Sequence, residues 1–306
     1  MSGARPMEPG DVPHLHLRFD SLFNRVSLQE HARDFPGLAW TNDQYEYVVA
    51  DRWKSRAAIG AIMEVSGPGR GFRGILPSAL RDAQWPARRA AMIEGLLTSL
   101  QQRGCRLVLV GDREAERSLQ PFLTLGFELV EDIVYYRKPD CAVSRHPSPL
   151  VLRRLRVADT PYLVQLEQRV FPWLWWYGEN EWYLIRMLAD VETHLAYRDG
   201  VLVGYETHTV TGDHGHLDRL GIETSLQGHG LGEELLRLAT TRIAELGGRE
   251  IGLSTQRGNL RARQLYEKHG FRLTSQSLRY YGRILDPTVR SLLELPDNDG
   301  SQPHTA

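Results

Sequence analysis

Lysine and cysteine are both scarce in this chain of 306 residues. Lys54, Lys138 and Lys268 are the only lysines, so arginine carries nearly all the basic charge. Cys105 and Cys141 are the only cysteines. Two cysteines make no disulfide framework, and no Cys/His spacing matches a zinc site, so no metal is expected. A reducing, cytoplasmic compartment is the simplest reading. An excess of charge of one sign is also missing: 37 Lys and Arg against 38 Asp and Glu leave −1 with His neutral. That balance removes a chain-wide attraction to nucleic acid or anionic membrane, and neither is expected as a partner. No apolar run reaches the ~18 residues that span a bilayer. The start, MSGARPMEPGD, lacks the apolar stretch of a signal peptide. Apolar residues as such are not lacking. A hydrophobic share of 42% with 25% charged is ordinary for a globular chain and excludes wholesale disorder.

The chain repeats itself. It reads LYEKHGFRL around residue 266 and PFLTLGFEL around 122, so His269-Gly270-Phe271 and Leu125-Gly126-Phe127 stand 144 positions apart. The same offset sets Val203-Gly204 on Ile59-Gly60, EIGLS at 250–254 on RLVLV at 106–110, and LGI at 220–222 on LPS at 76–78. Tyr280-Tyr281 meets Tyr135-Tyr136 after a one-residue slip, and Phe171-Pro172 meets Phe35-Pro36 at offset 136. The second copy therefore carries eight extra residues before the offset settles. A shared offset over such a length points to two related domains, at 13–139 and 150–285. Residues 140–149 form a linker in the proline-rich KPDCAVSRHPSP. Residues 286–306 are a C-terminal tail whose end, LPDNDGSQPHTA, is expected to be disordered.

In the second copy 151–159 alternate like a strand, while 160–169 and 182–188 have helical spacing. A hairpin over 193–199 and 201–210 turns at Asp199-Gly200. A strand at 215–222 precedes a helix whose face is Leu231, Leu235, Leu238, Ile243 and Leu246, ending at Gly247-Gly248. A strand at 250–255, a helix at 259–269 and one or two strands to 285 complete the order. Such an alternation makes a mixed sheet with helices on both faces, an α/β fold.

Gln227-Gly228-His229-Gly230-Leu231-Gly232 falls between a strand and the long amphipathic helix. Glycines let backbone approach a ligand and turn several N–H groups toward one point. The helix N-terminus adds partial positive charge, which completes an anion site suited to a pyrophosphate. No Gly-Lys-Ser/Thr follows, so it is not a P-loop. Glycines at 228, 230 and 232 miss the dinucleotide spacing, and Glu250 lies at the wrong end of the next strand for that reading.

QGHGLG followed by NLRARQLYEKHGF resembles instead the GCN5-related N-acetyltransferase (GNAT) superfamily. Its members carry Gln/Arg-x-x-Gly-x-Gly/Ala, then Asn, Ala and Tyr before Gly-Phe. Here Gln227, Gly230, Gly232, Asn259, Ala262, Tyr266, Gly270 and Phe271 fill that pattern. The resemblance covers most of 150–285. It implies two tandem GNAT-like domains, each a mixed, mostly antiparallel sheet flanked by helices.

What the resemblance implies is an acetyl-CoA-dependent N-acetyltransferase. Backbone groups of Leu220, Gly221 and Ile222 would pair with the pantetheine arm. Gln227, Gly228, His229, Gly230, Leu231 and Gly232 would hold the pyrophosphate through N–H groups. Asn259 and Ala262 complete the acetyl-CoA site. Tyr266 would protonate the departing thiolate, and a reference pKa of about 10 keeps a tyrosine protonated for that task at neutral pH. An ammonium is not a nucleophile, so an amine acceptor also needs a base. His216, Asp218 and Leu220 are spaced to share one strand face. Asp218 is the first candidate for the base, His216 the second and Glu206 a lesser one. Blander readings stand beside these: Tyr266 as a half-buried helix aromatic, Asn259 as a plain N-cap, Asp218 as an exposed strand acid.

At offset 144 the glycine motif becomes Ala83-Gln84-Trp85-Pro86-Ala87-Arg88, Asn259 becomes Ala115 and Tyr266 becomes Phe122. Pro86 has no N–H and Phe122 has no proton to give. The first copy is expected to be degenerate. SGPGRG at 66–71 reads as a hairpin loop. On the acceptor side Trp173, Trp175, Trp176, Tyr177, Trp182 and Tyr183 crowd one stretch. Trp173, Trp176 and Tyr177, with Glu206, are the candidate acceptor-binding residues. Packing between the two halves is an equal reading of the aromatics. The expected acceptor is a primary amine of a small molecule. Alternatives are protein or peptide N-acetylation and a non-catalytic CoA-binding sensor. Two related domains are compatible with a monomer or a homodimer.

Overall fold

The computed structural model describes residues 3–14, 37–42, 47–54, 58–65, 85–113, 119–144 and 146–295. SGPGRG, Ala83-Gln84, Ala115, Phe35-Pro36, LPS at 76–78 and the tail beyond Leu295 lie outside the described residues. The protein is a mixed α/β fold of two units, Met1–Val130 with Arg279–Ala306, and Glu131–Leu278. No helix among the described residues is long and apolar enough to cross a membrane.

In the first unit β1 (Arg5–Pro6), β2 (Ala39–Thr41), β3 (Tyr47–Lys54) and β4 (Ile59–Val65) pair antiparallel in that order. β5 (Leu107–Arg113) lies parallel to β4, with Ile59 opposite Leu107. Parallel neighbours need a crossover, and α1 (Trp85–Gln102) lies in it. Met92, Ile93, Leu96 and Leu100 recur at helical spacing on α1 and are buried with Val108 and Val110 of β5. α2 (Gln120–Thr124) follows and stops at Gly126, whose φ is +76°.

The second unit begins with most of β6 (Glu128–Lys138). Then come β7 (Val151–Arg154), α3 (Thr160–Val170), α4 (Glu179–Met187), β8 (Val191–Arg198), β9 (Val201–Thr211) and β10 (His214–Ile222). α5 (Leu231–Glu245), β11 (Glu250–Gln256), α6 (Leu260–Lys268) and the first part of β12 (Arg272–Ile284) complete it. β7 to β10 are antiparallel neighbours, and β11 runs parallel to β10 through the α5 crossover. β7 is shorter than the expected strand. The Asp159 carboxylate accepts from the Arg156 N–H at 2.9 Å and turns Val157–Asp159 into a 3₁₀ turn.

β11 takes β6 as its outer partner, Ile251–Gln256 against Lys138–Ile133. Val134 and Tyr136 of β6 enter the same core as Leu217, Leu236, Ile251, Leu253 and Phe271. From Arg279 the chain belongs to the first unit, where the Leu285 N–H donates to the Arg106 carbonyl at 2.9 Å and Arg106 pairs with Asp286 at 2.8 Å. A short helix, α7 (Val289–Leu292), ends the described chain there. The units therefore do not divide at 140–149. Each is completed by a strand from the other half of the sequence, because an unpaired edge beside β11 would leave backbone groups unbonded.

Local geometry repeats between the halves. The Phe127 N–H donates to the Phe122 carbonyl at 3.0 Å, and the Phe271 N–H to the Tyr266 carbonyl at 3.0 Å. Phe122 and Phe127 meet edge-on at 5.2 Å, Tyr266 and Phe271 at 5.9 Å. The N–H groups of Arg106 and Leu107 both reach the Ala58 carbonyl, as those of Arg249 and Glu250 reach Asp213. That last match corrects part of the repeat. β4 stands beside β5 as β10 stands beside β11, so Ile59-Gly60 does not correspond to Val203-Gly204 of β9.

Candidate active site

The site in the second unit starts from an irregularity in β10. Its pairing with β9 runs His216 to Thr209 and Leu217 to His208, then skips to Arg219 opposite Thr207. Asp218 is the extra residue of a β-bulge, which shifts the alternation of faces by one. His216 and Asp218 share the face of Thr209. The Thr209 hydroxyl donates to Asp218 Oδ2 at 2.7 Å, and His216 Nδ1 lies 2.9 Å from Asp218 Oδ1. Leu220, opposite Glu206, goes to the other face and packs with Leu231 and Leu235 under α5. The expectation that Leu220 shares a face with His216 and Asp218 is therefore corrected; strict alternation does not survive the bulge.

β10 and β11 stay paired only from His214 and Glu250 to Leu217 and Leu253. Beyond them β10 keeps β9 on one edge as far as Ile222 and Gly204. Its other edge, along Leu220, Gly221 and Ile222, has no strand beside it among the described residues. Parted strands expose peptide groups that an extended ligand arm can pair with.

At the end of β10 a 3₁₀ turn over Thr224–Leu226 leads into the glycine loop. Gly228 and Gly230 have φ of +87° and +78°, left-handed values that suit glycine. Gly230 is the N-cap of α5 and no side chain caps it. Nothing lies within 4 Å of where a Cβ on Gly230 would sit. The first loop or helix donor bonded back to the motif is Glu234, to the Gly230 carbonyl at 3.1 Å. The Gln227 N–H is taken by the Thr224 carbonyl at 3.3 Å, whereas N–H groups after it at an uncapped helix start are placed to meet an anion. The Gln227 side chain donates to the Ile222 carbonyl at 3.0 Å and accepts from Arg261 at 2.8 Å. Arg261 thus lies against the loop as a further cation, which the sequence reading passed over although it stands between Asn259 and Ala262.

Asn259 caps α6, its Oδ1 accepting from the Ala262 N–H at 3.2 Å. Tyr266, on the inner side of α6, is only 8% exposed, more deeply set than a half-buried helix aromatic. Tyr136 and Phe271 flank its ring, and burial pushes its pKa up to about 12. Ala262 is partly buried in the same cluster.

The aromatic stretch is organised by Arg219, a residue the sequence reading did not single out. Its guanidinium lies between the rings of Phe171 and Tyr177, 4.3 and 4.1 Å from their centroids. It donates to Tyr205 Oη at 3.0 Å, Glu167 Oε2 at 2.9 Å and the Trp175 carbonyl at 2.8 Å. The Tyr205 hydroxyl in turn donates to Glu167 at 2.8 Å. The buried guanidinium is tolerated because it pairs with the Glu167 carboxylate and donates to Tyr205 and the Trp175 carbonyl. Trp182 is fully buried and meets Tyr177 and Tyr205 edge-on, so it is core. Trp173 is buried as well, which corrects its assignment as a pocket wall. Trp176 remains part-exposed with its indole N–H on the Phe171 carbonyl, and Tyr183 is exposed.

Glu206 is also corrected. It is fully buried on the α5 side of the sheet, not on the face of Asp218. His194 Nδ1 lies 2.7 Å from one carboxylate oxygen and His208 Nδ1 2.8 Å from the other. Candidate ligand atoms of these three residues lie within 4.8 Å of one another, the one group among the described residues able to hold a metal ion. Sequence spacing hides it, because His194 meets Glu206 only through the β8–β9 register. Both Nδ1 atoms are already engaged by Glu206, which makes the group a hydrogen-bonded triad as it stands. Beside it Glu192 is held by Arg242 at 3.0 Å; burial alone would raise its pKa, and the arginine brings it below the ordinary range.

Residues 156–271 match the model of the Acetyltransferase (GNAT) family. Over that segment the chain is similar to GNAT acetyltransferases, and the mixed, mostly antiparallel sheet flanked by helices is the fold of the solved GNAT structures. Among solved structures, the chain is similar to a GCN5-related N-acetyltransferase from Sphaerobacter thermophilus, with a TM-score of 0.59 at 16% identity over 93% of this chain and 96% of that one. A GCN5-related N-acetyltransferase from Kribbella flavida gives 0.58 at 12% identity over 92% of this chain and 71% of that one. The glucosamine N-acetyltransferase region of a fungal multi-domain β-N-acetylglucosaminidase gives 0.59 at 13% identity over 92% of this chain and 38% of that one. At such identities the likeness is one of fold. No curated protein matches the chain by sequence.

Proposed function

We propose that the protein is an acetyl-CoA-dependent N-acetyltransferase whose active site lies in Glu131–Leu278 and whose acceptor is a primary amine of a small molecule. The observation that carries this reading is the parting of β10 from β11 directly beside an uncapped, glycine-lined helix start. The open edge of Leu220, Gly221 and Ile222 suits the pantetheine arm. The N–H groups from Gly228 to Gly232, with Arg261 beside them, suit the pyrophosphate, while the Gln227 N–H, expected to join them, is held by the Thr224 carbonyl. Asn259 and Ala262 border the same ligand.

In the reaction the acceptor ammonium gives its proton to the His216–Asp218 pair. Asp218 accepts from Thr209 and bonds His216 Nδ1, which leaves His216 Nε2 as the proton acceptor and Asp218 as the group that holds the ring. The free amine attacks the acetyl carbonyl. The C–N bond forms, the C–S bond breaks, Tyr266 protonates the departing thiolate, and the proton that the new amide nitrogen loses restores Tyr266. A tyrosine pKa near 12 keeps the donor charged with its proton at neutral pH.

We read the first unit as a degenerate copy. Trp85–Arg88 is helical where the second unit has its glycine loop, and the residue in the place of Tyr266 is Phe122. The matched hydrogen bonds around Phe122 and Tyr266 support this.

Calorimetry of acetyl-CoA binding to the wild type and to Gly230→Pro tests the reading. One site per chain, lost in the variant, is the expected result. Two sites would sink the degenerate-copy reading, and no binding would sink the acetyltransferase reading.

A further inference from the structure

Among the described residues Glu131 is a carboxylate without a counter-charge. Its Oε1 accepts from the Asp132 N–H at 3.0 Å and its Oε2 from the Trp175 indole at 3.3 Å. Among the described residues no Lys, Arg or His pairs with it. Its neighbour Asp132, by contrast, has Arg257 at 2.7 Å. Glu167, Glu192, Glu233 and Glu234 in the same unit each hold a cation as well. Glu131 is partly buried, and burial raises its pKa. A partly desolvated carboxylate is stabilised by a cation, and this one is left waiting for one.

Its position follows from register. His216 stands opposite Gly252, Ser254 opposite Tyr135 and Gln256 opposite Ile133. Partners in register share a face, so Glu131, two residues before Ile133, shares the face of His216 and Asp218. Ser254 on that face is exposed and Tyr135 only partly covered. Trp175 spans the same face. Its carbonyl is held by Arg219 of β10 and its indole by Glu131 of β6, with β11 lying between those two strands. The tryptophan therefore bridges the place where β10 and β11 part, and Glu131 stands at the far end of the bridge.

Resting on the acetyltransferase reading above, we propose that Glu131 and Trp175 form a subsite for a second cationic group of the acceptor, remote from the nitrogen that is acetylated. The acceptor class is then a small molecule with two amines. Two strand spacings separate β10 from β6, so the second cation sits roughly 10 Å or more from the reacting nitrogen. The carboxylate supplies the opposite charge and the tryptophan an apolar, π-rich wall for the chain between.

The test compares two probes of equal length, diaminooctane with terminal amines and octylamine, by thiol release from acetyl-CoA. The wild type is expected to favour the diamine in kcat/KM by about tenfold or more, the scale of one charge-assisted hydrogen bond. Glu131→Gln is expected to remove most of that preference, chiefly through KM, and Glu131→Asp to restore part of it. A wild-type ratio near one overturns the proposal without any variant. So does a preference that Glu131→Gln leaves intact. Acetyl-CoA calorimetry on the same samples separates the failures. Binding with turnover of both probes but no charge preference sinks only the subsite, whereas absence of acetyl-CoA binding sinks the reading it rests on.

Discussion

Tyr136 packs its ring 6.2 Å from that of Tyr266, at an interplanar angle of 54°. The two stand on opposite sides of the proline-rich linker. The Tyr136 hydroxyl donates to Glu267 at 2.6 Å and accepts from Arg263 at 3.0 Å, so it also holds two residues of α6 on either side of Tyr266. A strand written into the first half of the chain thus positions the proposed proton donor in the second. A fragment of residues 150–285 is expected to show no cooperative thermal transition, because the outer edge of β11 and the core around Tyr266 lose Val134 and Tyr136 together. Adding residues 128–149 should restore one. A cooperative melt of the shorter fragment would contradict the strand assignment.

Tyr266→Phe keeps the ring and removes the proton. The expected loss in kcat is about 100- to 10,000-fold, the usual range for a general acid, with acetyl-CoA affinity nearly unchanged. The wild-type rate should show no alkaline limb from this group until pH approaches about 12. The sign for stability follows from the same shift. The folded pKa lies above the reference of about 10, so this contribution is complete below that pH and is lost as pH rises toward the folded value. The variant should lose that part of the alkaline dependence in denaturant titrations.

Gly230 separates backbone conformation from hydrogen bonding. A Cβ there meets nothing within 4 Å, but φ is +78°. Gly230→Ala should cost about 1–2 kcal/mol for the left-handed backbone and keep the N–H. Gly230→Pro cannot take that φ and also loses the donor. Chemical denaturation and calorimetry together should show acetyl-CoA binding weakened in the first variant and abolished in the second.

Arg219→Met leaves Glu167 buried without its cation, and the expected destabilisation is about 3–5 kcal/mol. Replacing both, Arg219→Met with Glu167→Leu, should cost less than Arg219→Met alone, since no stranded charge remains. Urea titration of the two variants distinguishes a paired network from simple loss of packing. Equal losses would mean that the ring contacts of Phe171 and Tyr177 outweigh the charges.

Much of the site is legible along the chain because its parts are local. The glycine loop needs only neighbouring residues to turn its backbone, Asn259 caps the helix that follows it, and Tyr266 lies on that helix by simple period. The crossovers α1 and α5 are equally plain, since apolar spacing on a helix is a property of consecutive residues. The Phe122–Phe127 and Tyr266–Phe271 turns repeat because each is closed within six residues.

What the sequence by itself determined, then, is the order of strands and helices in the second unit and the glycine loop among them. Only the tertiary structure decided which faces and edges meet. The bulge at Asp218 sends Leu220 to the opposite face, and no residue spacing announces it, because a bulge is defined by the partner strand. The β8–β9 register assembles His194, Glu206 and His208 and takes Glu206 away from the acceptor side. Arg219 becomes the clamp of the aromatic stretch only once α3 delivers Glu167 and β9 delivers Tyr205. The exchange of β6 and the end of β12 between the halves is likewise invisible in periodicity. Alternation says that a segment is a strand, whereas hydrogen bonding between distant segments chooses its neighbour.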